Sequence, residues 1–189
     1  VAFAMSSVAA TLAKFSMDVC LYMSQNFDFI SLPAHLTTGS SIMPHKKNPD
    51  VFELIRGKCN KIQALPYEIT LITNNLPSGY HREFQLLKEG LFPAIQNLKA
   101  CLDIAIFSIK DIKVKDNILA DPKYNYLFTV DTLNEMVVAG MPFRDAYKAV
   151  AEQLENGTYE SPKATQHTHE GSINNLCLKE IKEKMQNAF

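Results

Sequence analysis

The sequence has no excess of charge in either sign. Nineteen Lys and Arg against twenty Asp and Glu leave a net charge of −1. That balance gives no basic stripe of the kind a nucleic-acid or anionic-membrane partner would need. Cysteine is scarce and unpaired in sequence: Cys20, Cys59, Cys101 and Cys177 form no CxxC motif. Three of the four fall in helix-like apolar patterns, so they read as reduced core residues of a cytoplasmic protein, not as a disulfide framework. No apolar run approaches the roughly 20 residues that a membrane span needs. The chain opens Val1-Ala2-Phe3-Ala4-Met5, without initiator methionine, capping residue or basic n-region. We therefore expect no signal peptide and a chain that begins mid-helix, as a fragment would. Strand alternation and internal repeats are also missing.

What is present is helical periodicity in a chain that is 47% hydrophobic, the composition of a globular protein. Residues 1 to about 25 carry Leu12, Phe15, Val19 and Met23 at spacings of three and four, which predicts a helix. A polar loop, Asn26 to Asn48, follows. Asn48-Pro49-Asp50 then reads as a helix start, with Asn as cap, Pro in the first turn and an acid complementing the dipole. The apolar stripe behind it runs from Val51 to Leu76 and should kink at Pro66. A turn at Leu76-Pro77-Ser78-Gly79 leads to a second stripe from Arg82 to Lys110, with another kink expected at Pro93. Two stripes of this length joined by a short turn predict an antiparallel pair in a bundle of long helices. Beyond Ile112 the elements shorten to Asp131–Ala139, Pro142–Glu155 and Asn175–Asn187. The expected organisation is all-α: a partial helical-bundle domain over 1–112 and a small helical domain over 113–189.

The densest chemistry lies between these parts, in Gly39-Ser40-Ser41-Ile42-Met43-Pro44-His45-Lys46-Lys47-Asn48-Pro49. A flexible glycine, two hydroxyls, two ammonium groups and a helix N-terminus within about ten residues favour an anion, and a carboxylate is the commonest small one. A glycine at the head of such a loop lets it close over a ligand and exclude water. On the residues alone, an ordinary polar connection before a helix remains open, since an unassisted serine is a weak base.

The segment resembles the signature loop of the fumarase/aspartase superfamily, GSSxMPxKxNP, at every fixed position. The resemblance implies removal of a proton beside a carboxylate, then expulsion of a group from the neighbouring carbon. It implies Ser40 as the general base with Ser41 as the alternative, and Lys46 as the stabiliser of the aci-carboxylate. Asn48, with Ser41, would bind the fumarate end of the substrate. Glu53, on the first turn or so of the next helix, would pair with a histidine from another subunit; as a first-turn acid it could equally serve the helix dipole.

Two further stretches are similar to argininosuccinate lyases. Asn48 to Lys58 resembles KNPDxxELIRGK, and Leu76 to Glu89 resembles LPxxYNxDLQxDKE. In the second, Tyr80, Gln85 and Lys88 match the residues that grip the substrate. Gly140 to Tyr147 resembles GxPFRxAH, with Tyr147 where His is common, and Asp131 fits an acidic position before it. His81, Glu83 and Leu86-Leu87 depart from the pattern, which touches fine substrate preference. His45 leans toward adenylosuccinate lyases or cycloisomerase relatives, and reuse as a non-enzymatic lens protein is a second alternative.

The resemblance covers nearly the whole chain but only the C-terminal part of such an enzyme. It implies conversion of argininosuccinate to arginine and fumarate without metal or cofactor, in a cytoplasmic homotetramer whose sites combine three subunits. The chain alone is then expected to be inactive. The His167-Thr168-His169-Glu170 run reads as a polar surface loop, not a metal site.

Overall fold

A computed structural model describes residues 1–43, 45–162 and 167–188. Pro44 of the signature loop and part of the polar stretch after Asn156 lie outside the described residues. The chain divides into two compact units, one from Val1 to Asp116 and one from Asn117 onward.

The first unit is a helical bundle. Helix α1 (Ala2–Tyr22) packs on α2 (Asp50–Gln63); α3 (Leu65–Thr73) and α4 (Leu87–Ile109) complete it. On α1 the residues facing inward are small, with Ala9, Ala13 and Ser16 all buried. Small residues allow close approach, and Ser16 satisfies its buried hydroxyl by donating to the Leu12 carbonyl at 2.8 Å. Phe52 is fully buried and meets Phe15 edge-on at 5.9 Å, a favourable aromatic geometry. Helices α2–α3 and α4 run antiparallel. Glu68 lies against Gly90, Cys59 against Cys101, and Ile55 lines a groove with Ile104, so numbers rise on one side as they fall on the other. Glu68 Oε1 comes within 2.9 Å of where a β-carbon on Gly90 would stand, so a side chain there would have to push the flexible ends of Glu68 and Leu65 aside. Burial and the neighbouring Cys101 thiol push Cys59 up to about 12, which keeps it protonated and inert.

Several expectations need correction. The Val51–Leu76 stripe is two helices, broken at Ala64, because Pro66 has no N–H to donate to the carbonyl four residues back and instead sits in the first turn of α3. The helix expected from Arg82 opens as a 3-10 turn over Arg82–Gln85 and becomes α only at Leu87. Neither start has a capping side chain, and uncapped starts often tighten in this way. Pro93, where a kink is expected, lies inside α4, and the helix continues through it. Asn48 does not cap α2: the cap position is Pro49, with no side-chain bond.

A minimal strand pair was also not foreseen, Ile30–Ser31 antiparallel to Lys113–Val114. With the Lys115 amide donating to the Phe29 carbonyl at 2.8 Å, it holds residues 113–115 in the first unit. That is why this unit extends to Asp116, past the boundary expected near residue 113. Finally, α1 and the Arg82–Ile109 stretch are long and apolar enough to cross a membrane by length and composition. Lys14 and Asp18, and Lys99 and Asp103, interrupt the apolar runs without lowering the average enough. Only 33% and 28% of these stretches are buried; Phe3, Val8, Phe92, Ile106 and Phe107 face outward.

The second unit contains α5 (Thr129–Val138), α6 (Phe143–Glu155) and α7 (Leu178–Asn187) after two 3-10 segments. Its core is small, built on Leu133, Ala146 and Val150. His167 Nε2 pairs with Asp131 at 2.7 Å, and His169 meets the His167 ring at 5.6 Å. Among the described residues no cluster of three or more His, Cys, Asp or Glu could hold a metal ion.

Candidate functional site

Where α1 ends and α2 begins, the chain leaves an open cleft of about 820 Å³. Its walls come from the end of α1 and the turn after it (Cys20, Ser24), the Ile30–Pro33 stretch, the descending limb of the signature loop and the first turn of α2. Three of the expected site residues meet here: Lys46, Asn48 and Glu53. Two cationic neighbours not assigned a site role beforehand join them, Lys47 and Lys113, along with His45. Lysines lining one cleft favour an anionic ligand, since among the described residues neither Lys46 nor Lys47 has an ion-pair partner to neutralise it.

Cys20 also lines this wall. Burial pushes its thiol up, the Arg56 guanidinium pulls it down, and Glu53 adds to the upward shift. The net effect keeps it a thiol and a poor nucleophile.

Ser40 lies outside the cleft lining, at the head of the loop, and is half-buried. Its Oγ accepts the amide N–H of Ile42 at 3.3 Å and of Met43 at 3.2 Å. These are the bonds of a serine turn, and two N–H donors at one oxygen favour negative charge on it. Ser41 is exposed and lies outside the cleft lining as well. Asn48 pairs through its backbone with Thr38, and its Nδ2 donates to the Gly39 carbonyl at 3.5 Å.

The other expected residues form a separate group. Lys88 Nζ donates to Gln85 Oε1 at 2.7 Å, and Gln85 Nε2 donates to the Tyr80 hydroxyl. The Tyr80 ring leans on Phe84, 5.8 Å away. This relay is exposed and is not part of the cleft that holds Lys46 and Glu53. The single helix face expected for Gln85 and Lys88 spans the change from 3-10 turn to α4, yet the side chains still meet.

Comparison with known proteins decides the family. A family profile described as "Lyase" matches residues 1–64. An argininosuccinate lyase from Parabacteroides distasonis is 56% identical over 189 residues, 100% of this chain and 42% of that protein. The chain belongs to the argininosuccinate lyase family. It spans 42% of the length of that relative. Solved structures share its fold. A class II fumarase from Schistosoma mansoni aligns with a TM-score of 0.70 at 21% identity, over 96% of this chain and 36% of the fumarase. An EDDS lyase variant with bound fumarate aligns with a TM-score of 0.69 at 21% identity, over 82% and 32%. The likeness to these two structures is one of fold.

Proposed function

We propose that the full-length protein eliminates fumarate from argininosuccinate and releases arginine. The observation that carries this reading is the signature loop. Ser40 Oγ is cradled by two amides, while Lys46, Asn48 and Glu53 line one cleft at the start of α2.

In this reading Ser40, as an alkoxide, takes the proton from the carbon beside the substrate carboxylate. The electron pair moves into that carboxylate to give a dianionic aci form. Such a proton is so weakly acidic that the new charge must be met as it develops, and Lys46 and Asn48 are the groups for it. Collapse of the aci form makes the double bond of fumarate and breaks the bond to the guanidino nitrogen. Arginine leaves as that nitrogen takes a proton from a general acid. Glu53 would orient such an acid, a histidine supplied by another subunit.

Tyr80, Gln85 and Lys88 would hold the substrate from a different direction. Their separation from the cleft supports a site completed by other copies of the protein. The apolar outer faces of α1 and α4 support the same assembly, since a bundle of this size leaves them uncovered. A homotetramer is the form we propose.

The test is to supply the full-length protein with argininosuccinate and measure fumarate and arginine. Equal release of both is expected. No turnover, or fumarate formed from adenylosuccinate instead, overturns the reading.

A further inference from the structure

We propose that Thr38 and Asp50 form a latch at the foot of the signature loop, so that closure moves the apex alone. Both are positioning residues for Ser40 and Lys46, and this role rests on the lyase reading above.

The foot is tied by four hydrogen bonds. The Thr38 amide donates to the Asn48 carbonyl at 3.1 Å, and the Asn48 amide donates to the Thr38 carbonyl at 2.8 Å. Asn48 Nδ2 donates to the Gly39 carbonyl. The fourth bond reaches farthest: Thr38 Oγ1 donates to the Asp50 carboxylate, twelve residues on. A hydroxyl-to-carboxylate bond is of the stronger, charge-assisted kind.

Asp50 is the first residue of α2. Two residues later Phe52 is fully buried, and Ile55 is 2% exposed. The foot is therefore tied to the rigid core through a single helical turn. The apex differs. Among the described residues its hydrogen bonds stay within the loop, from the Ile42 and Met43 amides to Ser40 and from the Lys46 amide to the Met43 carbonyl at 3.1 Å.

The consequence is geometric. Ser40 lies two residues after one side of the latch, and Lys46 four residues before the other. With the foot closed, both move on one frame, and the base keeps its distance to the group that stabilises the charge it creates. With the foot open, each follows its own strand, and the pair no longer arrives together. Misplacement of about 1 Å is enough to slow such a step by orders of magnitude.

The experiment uses the full-length protein with Thr38→Val, Thr38→Ser and Asp50→Ala. Thr38 is exposed, so its replacement strands no buried group and the fold should survive. Amide hydrogen exchange at Asn48 and steady-state kinetics are the two readouts. In Thr38→Val and Asp50→Ala, exchange at Asn48 should speed up on the order of tenfold. Turnover should fall on the order of tenfold while KM stays within about twofold, and Thr38→Ser should restore both. Unchanged exchange at Asn48 in Thr38→Val overturns the latch whatever the activity. Faster exchange with unchanged kcat overturns its positioning role. Should the wild-type protein prove to have no lyase activity, exchange still decides the latch, while the positioning role falls with the lyase reading.

Discussion

The signature loop and the Tyr80–Lys88 segment both belong to the first unit, yet they are built in opposite ways. The loop is fixed at its foot to α2 by Thr38, Asn48 and Asp50, and among the described residues its apex is held by hydrogen bonds from its own amides. Among the described residues the Tyr80–Lys88 segment has no such strand-paired foot. Its chemistry is a relay of side chains, Lys88 to Gln85 to Tyr80, laid along a 3-10 turn and the start of α4. The first design suits a group that must move into place and act on a proton. The second suits a surface that holds a ligand in a preset pose. The contrast predicts that damage to the loop falls on kcat and damage to the relay falls on substrate affinity.

The largest effect should come from removing the support under the loop. Phe52 is fully buried one residue pair beyond the latch, so Phe52→Ala should cost about 3–5 kcal/mol of stability, read by chemical denaturation. A loss below about 1 kcal/mol would mean that the start of α2 is not anchored as described. Next is Lys46→Ala, which removes the cation proposed to meet the developing aci-carboxylate. Turnover should fall by about 10²–10³ with substrate binding far less affected. If KM alone rises, Lys46 binds substrate and does not serve the transition state.

On the relay, Gln85→Ala breaks the middle link and should weaken kcat/KM about tenfold, close to 1.4 kcal/mol, mainly through KM. Because Gln85 connects the other two, adding Lys88→Ala should cost less than the sum of the single losses. Additive losses would show that the relay is not a unit. The smallest effect on stability belongs to Gly39→Ala. A β-carbon there meets nothing within 4 Å, and the residue is not in the left-handed region. Stability should change by no more than about 0.5 kcal/mol. Turnover should still slow if Gly39 is the hinge of closure.

What was legible in the sequence followed from periodicity and from one dense motif. Apolar spacing at three and four marked α1, α2 and α4, since each must bury a stripe. The loop stood out because its residues are contiguous. The features that escaped are bonds between distant residues. Thr38 and Asp50 are polar residues of ordinary type, and nothing local shows that they meet. The pairing of Ile30–Ser31 with Lys113–Val114 is two residues long, too short to alternate. The 3-10 start at Arg82 is decided by missing hydrogen-bond partners rather than by side-chain pattern, whereas the interruption at Pro66 was legible, as a kink where the structure has a break. The division of the expected site into a cleft group and an exposed relay was likewise invisible, because a motif names residues without placing them.

The most direct test of the central claim is turnover and argininosuccinate binding by Ser40→Ala in the full-length protein. Ser40 is assigned the proton transfer and no part in holding the ground state, so kcat should fall by about 10²–10⁴ while the dissociation constant changes by no more than about threefold. A kcat within about tenfold of the wild-type value, with turnover lost instead in Ser41→Ala, would contradict the account and move the base to the neighbouring hydroxyl.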